Sequence, residues 1–79
     1  MKKSEMQEKF RDLLNRRKES LKKAEDKGND GTALMYVGEI IGIAASMQAI
    51  GLIDWEQEDY IANEAWAIYR RKEPEYEAC

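Results

Sequence analysis

TALMYVGEIIGIAASMQAIGLI, residues 32–53, decides the fold: Glu39 is its only side chain that is ionised at neutral pH. At about 100° per residue, Gly38, Gly42, Ala45 and Ala49 fall on one narrow stripe of a helix. Tyr36, Ile40, Ile43, Met47 and Ile50 form a bulky stripe roughly opposite. A helix that is apolar on two faces needs cover on two sides, so this stretch reads as the centre of an all-helical assembly. Its length would suffice to span a bilayer, and Gly38-x-x-x-Gly42 has the form of a membrane dimer motif. Glu39 at mid-depth argues against that, because an acid there costs about 2.5–3.5 kcal/mol on insertion scales. The flanking segments are amphipathic and can cover the helix in water, so no membrane is expected.

Upstream, residues 4–27 read as a helix. Met6, Phe10, Leu13, Leu14, Leu21 and Ala24 recur at helical spacing on one stripe. Glu5 with Lys9, Asp12 with Arg16, and Glu19 with Lys23 place acid before base one turn apart, each pair worth about 0.2–0.5 kcal/mol. Ser4 is a candidate N-cap, Gly28 a candidate left-handed stop, and Asp30 a candidate cap for the next helix. That second helix covers 32–50 and ends at Gly51. Asp54 with Gln57 has the capping-box pattern, opening a third helix over 54–72 with Trp55, Ile61, Ala62, Ala65, Trp66, Ile68 and Tyr69 on one face. Arg70, Arg71 and Lys72 suit its C-terminal dipole, Pro74 follows, and 73–79 is a loose tail. Both connections are short, which predicts an up-down-up three-helix bundle with a mostly buried central helix, one domain over 1–79.

Composition narrows function. The chain has 79 residues, no histidine and one cysteine, Cys79. It therefore lacks the commonest general base, the commonest transition-metal ligand and any disulfide framework. Glu39, Glu58 and Glu64 have no histidine partners for a di-iron site, so no metal, no cofactor and no enzyme activity are expected. Cys79 has no activating neighbour. Residues 1–27 are charged throughout, unlike a secretory leader, and a cytoplasmic location is the default expectation.

Four groups of residues are candidates for function. The first is an acidic, aromatic start of the third helix, Trp55, Glu56, Glu58, Asp59 and Tyr60, where an outward tyrosine among carboxylates suits a partner protein. The second is basic: residues 1–27 hold ten Lys/Arg against six Asp/Glu, and residues 28–79 hold three against ten. Arg16, Arg17, Lys18, Lys22 and Lys23 could contact nucleic acid, although acids interrupt them and no aromatic residue lies among them. The third is the stripe Gly38, Gly42, Ala45 and Ala49, which admits close helix packing. The preferred reading places the third helix's tryptophans over it; the alternative is self-association as a homodimer. The fourth is Arg17 with Glu39, either an internal ion pair or, as preferred, an arginine laying its methylenes on apolar surface while both charges face water.

From Gly38-Glu39-Ile40-Ile41-Gly42 through Ala49-Ile50-Gly51-Leu52-Ile53-Asp54-Trp55-Glu56-Gln57-Glu58, the chain resembles a hairpin found in short helical accessory proteins of phages and conjugative elements. The resemblance implies a mobile-element product that occupies a surface of a larger protein, as anti-CRISPR inhibitors do. It assigns no role to any residue. The functional expectation is a small protein-binding module, an inhibitor or adaptor. Nucleic-acid association and homo-oligomerisation as a structural protein are the alternatives.

Overall fold

The computed structural model describes residues 2–69: three helices, α1 Lys3–Asp26, α2 Asp30–Ala49 and α3 Trp55–Tyr69, with no strand among the described residues. The turns follow from local chemistry. Gly28 at φ 73° and Gly51 at φ 81° take the left-handed conformation that side chains with a Cβ resist. Behind each lies a Schellman motif. Gly28 N–H donates to Glu25 O at 3.0 Å and Asn29 N–H to Ala24 O at 2.9 Å. At the second turn Gly51 N–H donates to Gln48 O at 3.0 Å and Leu52 N–H to Met47 O at 2.8 Å. Leu52 and Met47 are both buried, the apolar contact that accompanies this stop. Asp54 and Gln57 close the capping box reciprocally, each backbone N–H donating to the other's side-chain oxygen at 2.9 Å.

Two cap assignments need correction. Ser4 does not cap α1, because the helix has already begun at Lys3 and its N-cap Lys2 makes no side-chain bond. Asn29 rather than Asp30 caps α2, its Oδ1 accepting from Thr32 N–H at 3.3 Å. Gly28 completes its turn one residue earlier than a cap at Asp30 requires. The expected end of the third helix at 72, its Arg70-Arg71-Lys72 terminus, Pro74, the tail and Cys79 lie outside the described residues.

The core is threaded by α2. Ala33, Val37, Ile40, Ala44 and Met47 are buried, against Leu14, Leu21 and Ala24 of α1, and Ala65 and Ile68 of α3. Both outer helices pack along α2 and touch each other far less. Close approach is supplied by Ala33, Ala44 and Ala65, each wholly buried. Gln7 Nε2 donates to Leu52 O at 3.0 Å, tying the start of α1 to the α2–α3 turn.

The fold thus agrees with an all-α three-helix bundle, but the small-residue stripe of α2 is not where packing was expected. Gly38, Gly42, Ala45 and Ala49 are exposed, and a Cβ built on Gly38 or Gly42 meets nothing within 4 Å. The tryptophans do not need the stripe. Trp55 is 75 % exposed, and Trp66 stacks edge-to-face on Tyr69 with centroids 5.9 Å apart. Both outer helices sit on the bulky side of α2, because burying branched and aliphatic side chains removes more apolar area from water than burying glycine.

Candidate functional site

Because α1 and α3 are held through α2, a groove of about 460 Å³ opens between them. Its floor is apolar: Leu14 from α1, Met47 from α2, Ile53 from the turn and Ile61 from α3. Arg11, Asn15 and Lys18 form one bank, and Glu56, Tyr60 and Glu64 the other. One wall is cationic and the facing wall anionic. Lys18 Nζ crosses to Glu64 Oε1 at 2.6 Å, with side chains 22 % and 36 % exposed. An apolar trough with opposed charged rims suits an amphipathic segment of another polypeptide.

The acidic, aromatic start of α3 divides when folded. Tyr60 is 68 % exposed and leans into the groove wall with Glu56. Trp55 lies about 140° around the helix from Tyr60, on the opposite flank. Exposed Asp59 lies between the two. Glu58 falls about 20° from Ala65, on the core-facing side, and is half-buried. Of the five residues, Glu56 and Tyr60 therefore belong to one site, and the helical period explains why five consecutive-looking candidates cannot all share it.

Three of the five candidate basic residues of α1 meet acids. Arg16 Nη2 meets Asp12 Oδ2 at 2.6 Å on the outer surface. Arg17 Nε meets Glu39 Oε1 at 2.6 Å, both side chains 38 % exposed. This ion pair replaces the reading in which the two charges face water separately: Arg17 Nε is itself shut off from solvent, so the guanidinium is better placed against a carboxylate than unpaired. With Lys18 on Glu64, Lys22 and Lys23 are the two of the five that stand exposed without a carboxylate partner among the described residues, a weak grip for a phosphate backbone.

Sequence patterning passes over two features. Lys18 and Glu25 stand on the same seam as Leu14 and Leu21, at three- and four-residue steps, which marks them as inward-facing charges. Glu25 is 5 % exposed. The floor residues Met47, Ile53 and Ile61 read as ordinary core; Met47 is buried, and Ile53 and Ile61 stay partly exposed where α1 and α3 splay apart. Among the described residues no cluster of three or more metal-ligating side chains occurs. Comparison with family models, with curated proteins and with solved structures finds no match.

Proposed function

We propose that this chain is a non-enzymatic protein-binding module that receives an amphipathic helix of a larger protein in the groove between α1 and α3. The observation that carries this reading is the groove itself: an apolar floor, an exposed Tyr60, and rims of opposite charge. A bound helix would seat its apolar ridge over the partly exposed Ile53 and Ile61. Its acidic flank would face Arg11 and its basic flank Glu56, while Lys18 and Glu64 stay paired with each other. Tyrosine at such a rim covers much area with few rotors to freeze, which favours it as an anchor. The resemblance of residues 38–58 to accessory proteins of mobile elements suits an inhibitor or adaptor that works by occupancy, in the cytoplasm. Acyl, phosphoryl or metal chemistry has no residue set to support it among the described residues.

Affinity capture from the native host, with wild-type chain and the Glu56→Lys/Tyr60→Ala variant side by side, tests the proposal. A partner held by the wild type should be retained about tenfold or more weakly by the variant, with helical content unchanged. Equal retention by both chains sinks the groove as the binding site.

A further inference from the structure

The bare face of α2 is a second surface, independent of the groove. The buried residues of this apolar helix, Ala33, Val37, Ile40, Ala44 and Met47, all lie on its other side. Beside the glycines and alanines the face carries Leu34, 48 % exposed, and Met35, 53 % exposed. It carries no charge. Glu39 stands at its border and is already met by Arg17. The monomer supplies no packing reason for glycine at 31, 38 or 42, since a Cβ at each would meet open space, and glycine is a poorer helix former than alanine.

The spacing of this face is informative. Gly31, Met35, Gly38, Gly42, Ala45 and Ala49 follow steps of four and three in strict alternation, the seam of a helix that packs against another helix. None of this chain's own described helices occupies that seam. We infer that its occupant is a second copy of the chain, with the two α2 helices antiparallel and overlapped along their full length.

Size and charge both favour this partner. In that register Met35 lies opposite Ala45 of the second copy, Gly31 opposite Ala49, and Gly38 opposite Gly42 astride the two-fold axis. Large meets small at the two Met35–Ala45 contacts flanking the axis, and the backbones approach most closely at the centre. A parallel pairing would set Met35 on Met35 and leave the alanine half gaping. Two uncharged faces bring no like charges together, and antiparallel helix dipoles attract. With Leu34 and Ile41 at its margin, a contact about 30 Å long and 20 Å wide covers on the order of 600 Å² per copy, somewhat below the ~800 Å² of a standard interface. A reversible, concentration-dependent dimer follows.

Sedimentation velocity of the full chain over a dilution series tests this. The expected result is a monomer–dimer equilibrium. Ala45→Glu, at a position exposed in the monomer, should raise the dissociation constant about tenfold or more and leave helical circular dichroism unchanged. In a Cys79→Ser background, mixed Gly38→Cys and Gly42→Cys chains should form a disulfide faster than either chain alone. A chain that stays monomeric throughout, a dimer indifferent to Ala45→Glu, or each cysteine pairing best with itself overturns the inference. Co-sedimentation with phosphatidylcholine vesicles, with no dimer in their absence, also overturns it and gives the face to a bilayer. These outcomes leave the groove proposal untouched, whose own test is the Glu56→Lys/Tyr60→Ala pair.

Discussion

Arg17 and Leu21 stand one turn apart on α1 and contribute to stability by different physics. The Arg17–Glu39 pair is short at 2.6 Å, but its side chains remain 38 % exposed, so water screens most of the attraction. Leu21 is wholly buried, and truncating it removes transfer energy and leaves a cavity. Glu39→Gln should therefore lower the unfolding free energy by less than about 1 kcal/mol, and Leu21→Ala by about 2–5 kcal/mol. Urea denaturation of both variants measures the contrast; a Glu39→Gln loss matching that of Leu21→Ala would show a pair working in a low dielectric instead. Both partners of the ion pair were legible as lone charges on apolar stripes. Their meeting was not, because the register of α1 against α2 is set by a three-residue turn and by which alanines admit close approach. Lys18 and Glu64 illustrate the same limit, standing 46 positions apart along the chain.

At the level of elements, the glycines of this chain divide into two kinds whose substitutions should act with opposite sign. Gly51 holds φ 81° at the end of α2 with open space around it, so Gly51→Ala meets only backbone strain and should cost about 1–2 kcal/mol. Gly42 lies inside α2 with ordinary helical φ and equally open space. Gly42→Ala should stabilise the monomer by about 0.5–1 kcal/mol by narrowing the unfolded ensemble. Thermal unfolding at a dilution where only monomer is present separates them: both variants shifting downward would mean that α2 is held closed from the stripe side. Turn chemistry was the most legible part of the chain. Gly28, Gly51 and the Asp54–Gln57 box each depend on residues within five positions, so sequence alone suffices. N-caps were less so, since Asn29 and Asp30 both qualify and only the Schellman turn at Gly28 selects between them.

For the molecule as a whole, the all-helical three-element architecture was legible because two long amphipathic segments flank an apolar one across glycine stops. What could not be read was which side of α2 its neighbours would take. Periodicity shows that Gly38 and Ile40 lie on different faces, but it does not say that α1 and α3 together supply cover for only one of them. The competition is decided by area: branched and aliphatic side chains gain more from burial than glycine and alanine do, and two helices are too few to enclose both faces. A small bundle left with a bare apolar helix can gain stability by association. If the second copy covers that face, unfolding of the dimer releases two chains, and mass action ties the melting midpoint to concentration. The midpoint of the wild type should rise steadily over a hundredfold increase in concentration, on the order of a few degrees for a domain this size. Ala45→Glu should melt at one temperature throughout, close to the wild type at its most dilute. Differential scanning calorimetry of both chains reads this directly. A flat wild-type midpoint would mean that the face remains uncovered in the folded state at every concentration tested, and that this protein tolerates an open apolar helix by burying the bulky side of α2 alone.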